Sequence, residues 1–392
     1  MWGKKLSPKT WGEIDAAALR HNLGVFQKLA GLQTAVMAVV KANAYGHGLL
    51  EVVKILSKPR LPSGQGHTLH TKRSLWFGVD NIDEALLIRG LNIKNPILIL
   101  GYIPPERLKE AIEHEISFSV YSKESLKIIT QKQWNKKPRI HLKIETGTNR
   151  LGMQPEELWK SCLAGRQADF LNINIEGVYT HFADTENPES LFWKEQIARF
   201  EEAITLLKKV DADPIRHIAS SAAALLYPEA CYDMMRAGIG LYGLYPSEDV
   251  RHLVLNTLKP VLSWKTRIVQ IKQAKKGETI GYDRTFRAKR LSVIAILPVG
   301  YWDGYDRRFS NKGTVLIKGK RAPIAGNICM NIMMVDITEA KNAREGDEVV
   351  LLGKQQKEEI FAEELAEKIG TIHYEVVARI NPLIARIVIH DI

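Results

Sequence analysis

From about residue 12 to about residue 245 short apolar runs alternate with longer amphipathic stretches. "TAVMAVV", "LWFGV", "PILILG", "RIHLKIE", "INIEGVYTHF" and "RHIAS" read as buried strands, because a strand covered on both faces is apolar without alternation. "DAAALRHNLGVFQKLA", "PEELWKSCLAGRQ" and "KEQIARFEEAITLLKKV" predict helices between them. Such an alternation over about 230 residues fits a closed parallel barrel better than an open sheet, although periodicity alone leaves both available. After about residue 258 the texture changes to "LSWKTRIVQIKQA", "RLSVIAILPVGY", "GTVLIKGKRAPIAG", "MMVDIT" and "GDEVVLLG", short β-branched runs punctuated by glycine. One helix is predicted there, "EEIFAEELAEKIG", with Ile360, Phe361, Leu365 and Ile369 at helical spacing and Gly370 as its C-terminal stop. The alternation favours an α/β chain whose expected form is a (β/α)8 TIM-type barrel over residues 1–257, then a mostly β domain over residues 258–392.

A chain of 392 residues, 45% hydrophobic and 25% charged, can bury a large core and exceeds the length at which one core keeps growing. Cys162, Cys231 and Cys329 lie far apart, without C-x-x-C or metal-ligand spacing, so neither a disulfide framework nor a metal site is expected. No apolar run has the length of a signal peptide core or a bilayer span, and a cytoplasmic protein without a membrane partner is expected. The net charge of +11 is spread in short basic groups separated by acids, which argues against a nucleic-acid partner. Residues 57–74 form a polar Pro/Gly/basic insertion, expected to be a loop, in which His67 and His70 lack a third metal ligand.

Polar residues of reactive type recur just beyond the ends of the predicted barrel strands. Lys41 follows "AVMAVV", Lys143 and Arg150 close "RIHLKIETGTNR", His181 ends "IEGVYTH", and Ser220 with Ser221 end "RHIASS". In a barrel these strand ends face one mouth, where active sites are built. Lys41 leaves an apolar strand into a turn containing Asn43, Gly46 and Gly48, a setting expected to strip water from the amine and favour its neutral form.

The decapeptide "VVKANAYGHG" resembles the cofactor-lysine signature of the alanine racemases, pyridoxal-phosphate enzymes of fold type III. The resemblance continues in order through "HLKIETGTNRLG", "GVYTHFA", "SSAAAL", "RAGIGLYG", "GYDRTF", "VGYWDGY", "GNICMN" and "TIHYEVVARI". It implies interconversion of L- and D-alanine through a pyridoxal-phosphate aldimine with two bases, supplying D-alanine for peptidoglycan. Lys41 would carry the cofactor and act as one base, and Tyr282, from the partner of a homodimer, as the other. Arg236 would face the pyridine nitrogen, His181 would lie beside the ring, and Tyr45, Ser221, Gly238, Ile239 and Tyr374 would hold the phosphate. Arg150 would meet the cofactor phenolate and substrate carboxylate. Met330 and Tyr301 would line and narrow the substrate site, and Lys143 matches a lysine that is carbamylated in some members.

The chain departs from the family at Glu145, Thr148, Asn149 and Asn331, which touches selectivity and the charge balance near Arg150. A broad-specificity racemase remains an alternative, since small pocket differences discriminate only modestly. A fold-related decarboxylase would carry other signatures in place of "GYDRTF" and "VGYWDGY", and a single-barrel cofactor carrier would end near residue 240.

Overall fold

The fold is described from a computed structural model covering residues 8–58, 74–158, 160, 172–209, 212–254 and 257–391. Most of the basic insertion with His67 and His70, the helix expected beyond Leu158, and Cys162 lie outside the described residues. The chain divides into two units: residues 18–42 and 53–259 form one, and residues 1–17, 43–52 and 260–392 the other.

Strand β1 (Thr10–Asp15) belongs to the second unit. The next eight build the first: β2 (Ala35–Val39), β3 (Trp76–Val79), β4 (Ile97–Ile99), β5 (Ser117–Val120), β6 (Arg139–Lys143), β7 (Asn174–Tyr179), β8 (Ile215–His217) and β9 (Met234–Ala237). They pair in parallel in the order β8-β7-β6-β5-β4-β3-β2-β9. The two ends of this order meet, because Arg236 N–H donates to Ala219 O at 3.0 Å and Asp233 N–H to Arg216 O at 3.1 Å. The parallel sheet therefore closes into a barrel, as the alternation predicts. Five of its strands lie inside the apolar runs quoted above, and β8 begins one residue before its run. The other two, "SFSV" and "MMRA", carry serine or arginine into the interior and lack that texture, yet all eight of their residues are buried.

Helices cover the barrel with the expected apolar faces. Leu19, Leu23 and Phe26 are buried along Ala16–Ala30, and Trp193, Phe200, Ala203, Ile204 and Leu207 along Phe192–Lys208. Asn22, fully buried, gives its carboxamide to the backbone: it donates to Leu241 O at 3.1 Å and Lys259 O at 2.8 Å, and accepts from Lys259 N–H at 2.8 Å.

The second unit continues with β10 (Leu262–Arg267), β11 (Gln270–Ala274), β12 (Thr279–Ile280), β13 (Phe286–Arg287), β14 (Ser292–Leu297), β15 (Thr314–Ile317), β16 (Lys320–Pro323), β17 (Met333–Asp336), β18 (Glu348–Gln355), β19 (Glu358–Ile360) and β20 (Ala385–Ile389). Its main sheet runs β16-β15-β18-β10-β1-β20, with β19 paired to β18, while β11-β14-β17 form a second sheet and β12-β13 a third. The unit is mostly β. A single cut at 257/258 does not describe the division, because β1 pairs antiparallel with β10 (Thr10↔Thr266) and parallel with β20 (Trp11↔Ala385). Two further boundaries differ from the sequence reading. The run "LSWKTRIVQIKQA" splits between two sheets, and the helix predicted from residue 358 begins at Ala362. Residues 358–360 instead pair with Gly353–Gln355 across a turn in which Gln356 takes φ +58°. Gly370, at φ +66°, ends the helix as expected.

The buried carboxamide of Asn22 yields a stability prediction. Asn22→Ala leaves two carbonyls and one N–H without their partner, so unfolding free energy should fall by about 2–3 kcal/mol, read from the denaturant midpoint.

Candidate active site

The chain leaves β2 through Val40, whose N–H donates to Gly78 O at 2.8 Å, and reaches Lys41 at the barrel rim. The next four residues, Ala42, Asn43, Ala44 and Tyr45, all take φ between +53° and +54°. This is a left-handed turn built without glycine, at a cost of roughly 1–2 kcal/mol per residue. Several interactions hold it. Asn43 accepts Leu49 N–H on its side chain and Gly48 N–H on its carbonyl, both at 2.9 Å, and His47 Nδ1–H donates to Tyr45 O at 3.0 Å. Burial brings the His47 pKa down to about 4, so its ring is neutral. Arg386 donates to Gly46 O from Nη2 at 2.6 Å and Nε at 3.1 Å. A Cβ at Gly46 would stand 1.9 Å from Val377 O, so only glycine fits there.

In the barrel unit, cations gather around the ends of β2, β6 and β9. Arg236 is 5% exposed and donates to His217 O (2.9 Å), Thr180 O (2.8 Å) and Ile218 O (2.9 Å). It also faces His217 Nδ1 at 3.0 Å and His181 Nδ1 at 3.1 Å. Guanidinium has no acceptor and keeps its proton, so both ring nitrogens must accept. Loss of solvent and then the charges of Arg236, Arg150, Lys143 and Lys41 push the His181 pKa well below its ordinary range. Lys143, over the Tyr179 ring at 5.5 Å, is brought down to about 8 by burial and by Arg150, Arg236 and Lys41, which outweigh Glu145. Glu145 spends its carboxylate on the loop backbone, accepting from Gly147 N–H and Arg150 N–H. These bonds hold its pKa below the usual range although burial opposes them. This carboxylate, a departure flagged in the sequence, therefore organises the Arg150 loop.

Ser221, 5% exposed, accepts Gly238 N–H at 2.8 Å and Gly240 N–H at 3.3 Å on its hydroxyl oxygen. Its own hydroxyl proton is not used in these bonds. Ile239 opens the short 3-10 helix Ile239–Tyr242. The structure thus brings Lys41, Lys143, Arg150, His181 and Arg236 into one electrostatic neighbourhood, and Ser221 onto Gly238.

The second unit holds the other predicted residues. Tyr45 and Tyr374 have ring centroids 6.3 Å apart. Tyr301 N–H donates to Cys329 O at 3.1 Å and Trp302 N–H to Met330 O at 2.9 Å, which joins the Tyr301 and Met330 segments. A Cβ at Gly300 would lie 2.1 Å from Cys329 O, so that junction too requires glycine. Tyr282 sits on a short turn with Asp283 and Arg284 at φ +59° and +56°, where Asn327 Nδ2 donates to Tyr282 O (3.3 Å) and Asp283 Oδ2 (2.9 Å). Asn327, His141 and His217 were not singled out from the sequence. For His141 the available signal was the alternation Arg139, His141, Lys143 along β6; His217 directly follows Arg216 and carries no such signal.

Residues 14–246 match the family model of the alanine racemase N-terminal domain, and residues 261–388 that of the alanine racemase C-terminal domain. The chain belongs to the alanine racemase family. It is an isomerase of the amino-acid racemase class. The chain is 39% identical over 389 residues to the alanine racemase of Methanococcus maripaludis, covering 98% of this chain and 100% of that protein. It is 37% identical over 394 residues to alanine racemase 2 of Bacillus subtilis, covering 99% and 96%. The crystal structure of the Bacillus anthracis alanine racemase with bound L-Ala-P is similar to it with a TM-score of 0.88 and 33% identity, covering 99% of this chain and 96% of that one. Among the described residues no helix is long and apolar enough to cross a membrane.

The depressed Lys143 gives this racemase-family chain a pH signature. Its folded pKa, about 8, lies below the ordinary 10.5, so between these values the unfolded chain binds more protons and native stability rises with pH. Below pH 8 the buried charge costs on the order of 3 kcal/mol. In carbonate-free buffer Lys143→Met should therefore be more stable than the natural protein at pH 7, and the difference should shrink as pH is raised towards 10.5, read from denaturant midpoints.

Proposed function

We propose that this chain interconverts L- and D-alanine with pyridoxal phosphate bound at Lys41. The observation that carries the reading is the cluster of Lys41, Lys143, Arg150 and Arg236 around His181, whose nearby carboxylate, Glu145, is turned to its own loop. That donor set fits a group bringing several negative oxygens and a ring nitrogen able to accept, which is the chemistry of pyridoxal phosphate. When bound, the cofactor withdraws electrons from the substrate α-carbon so that its proton can leave.

The chain's own residues supply the rest. Lys41 provides the primary amine that carries the cofactor and, once released, takes or returns a proton on one face of the substrate. Arg236 donates and never accepts, so a ring nitrogen facing it stays unprotonated; the ring is then a weaker electron sink, which favours quick return of the proton over transamination. His181, held neutral by burial and the surrounding cations, would stand beside the bound ring. Ser221 has a hydroxyl proton to give a phosphate oxygen, with Gly238 and Ile239 beside it. Tyr45 and Tyr374 keep the phosphate role that the resemblance implies. Arg150 presents a fork of donors suited to the substrate carboxylate. Lys143, with a pKa of about 8, has a substantial neutral fraction at mildly alkaline pH and can take up carbon dioxide, becoming an anion that orients Arg150.

Tyr282 is assigned as the base on the opposite face, contributed by the second chain of a homodimer, with Tyr301 and Met330 narrowing the substrate site. The support for dimerisation is exposure: Tyr282 is 70%, Met330 55%, Tyr301 42% and Trp302 59% accessible in the single chain, large side chains that a second copy would cover. Delivery of D-alanine to peptidoglycan and a cytoplasmic location belong to this reading, the latter in keeping with the free thiols of Cys231 and Cys329.

The test is chiral analysis of alanine incubated with the purified protein and pyridoxal phosphate. Lys41→Ala should lose both racemisation and the borohydride-fixed cofactor mass, and a variant that retains either would contradict the assignment of Lys41. Mixing Lys41→Ala with Tyr282→Phe subunits should restore about 25% of activity, because half of the randomly formed dimers carry one site with both bases. Verified hybrid dimers without activity would place both bases in one chain.

A further inference from the structure

A line of four buried or nearly buried polar side chains runs through the barrel interior from Arg236: His217, His141 and Glu176, joined by Ser117. Arg236 Nη1 lies 3.0 Å from His217 Nδ1, and His217 Nε2 lies 2.8 Å from His141 Nδ1. His141 Nε2 faces Glu176 Oε2 at 3.5 Å, and Ser117 donates its hydroxyl to the same carboxylate oxygen. Both imidazoles are wholly buried and the Glu176 side chain is 13% exposed.

We propose that Glu176 is a positioning residue for Arg236, acting by fixing the tautomers of His141 and His217. The ends of the line are chemically one-sided. A guanidinium has only donors and an ionised carboxylate only acceptors. A neutral imidazole has one of each. With Arg236 donating, His217 Nδ1 must accept, so its proton sits on Nε2 and is given to His141 Nδ1. That leaves the His141 proton on Nε2, directed at Glu176. The reverse arrangement would set N–H against N–H at Arg236 and lone pair against carboxylate at Glu176, two conflicts in a dry interior. The protonation states required are the ones the surroundings favour. Burial, then His141 and Arg236, push the His217 pKa well below its ordinary range, and the facing His141 ring and the Ser117 hydroxyl keep Glu176 low although burial opposes them.

Local packing is committed to this line. Gly177, next to Glu176 on β7, faces His141 so closely that a Cβ would stand 2.1 Å from Nδ1, the atom that accepts from His217. Tyr179 stacks on the His217 ring at 4.8 Å with planes 10° apart, and Trp76 meets His141 edge-on at 5.5 Å. The rings cannot turn away to relieve a wrong tautomer.

Consequences for catalysis rest on the proposed role of Arg236, whereas the tautomers do not. Holoenzyme carrying ¹⁵N-labelled histidine should show His141 and His217 both protonated on Nε2. Glu176→Gln, which keeps the shape but can offer an N–H, should let His141 populate the Nδ1–H form, and Glu176→Asp should restore the original pattern. An Nδ1 proton on either ring in the natural protein, or unchanged tautomers in Glu176→Gln, overturns the proposal. In the same preparations Glu176→Gln should lower kcat for alanine on the order of tenfold with KM little changed, as loss of a carboxylate that orients a histidine does elsewhere, and Glu176→Asp should recover most of it. A shifted tautomer with kcat unmoved overturns the link to Arg236. If the natural protein itself does not racemise alanine, the function reading fails, and the spectra still decide whether Glu176 sets the tautomers.

Discussion

One guanidinium that cannot lose its proton sits almost wholly buried at the heart of the barrel. Everything around Arg236 must accept: three main-chain carbonyls and two imidazole nitrogens do so, and the neighbouring histidines are held neutral by loss of solvent and by the cation itself. A buried charge of this kind is tolerated only where its hydrogen bonds are nearly complete. The strand ends of β7, β8 and β9 are therefore arranged around it rather than the reverse.

The second demand on the fold is conformational. A left-handed turn of four non-glycine residues directly follows the reactive lysine, and it persists because its surroundings over-determine it. The side chain of Asn43, the guanidinium of Arg386 and the close approach of Val377 to Gly46 all act on residues 43–48. The last two of these restraints come from the late part of the chain. The backbone that presents Lys41 is thus shaped by residues more than three hundred positions away, as the separation of 340 between Arg386 and Gly46 shows.

Much of this was legible in the sequence, and what was not has physical reasons. Six barrel strands carry enough apolar residues to announce themselves. The two that were missed, Ser117–Val120 and Met234–Ala237, are short and carry serine or arginine into the interior, which hides them as strands. Lys41, Lys143, Arg150, His181 and Ser221 were recognisable because strand ends of a parallel barrel share one mouth. His141, His217 and Glu176 were not, since their significance lies in which nitrogen faces which atom across three strands. The split of "LSWKTRIVQIKQA" and the strand at residues 358–360 were likewise decided by pairing partners that periodicity does not carry.

The placement of β1 bears on how the protein is made. This strand is made long before its partners: Lys265, whose carbonyl accepts from the Thr10 hydroxyl, follows 255 positions later, and Ala385, the partner of Trp11, later still. At ordinary elongation rates that is a wait of roughly 10–50 s with Trp11 and Ile14 uncovered. Neighbouring barrel strands from β2 to β8, by contrast, arrive in chain order, and β9 then returns to β2. The barrel strands are thus all synthesised while β1 still lacks both of its partners, an edge left unpaired until β10 and then β20 arrive.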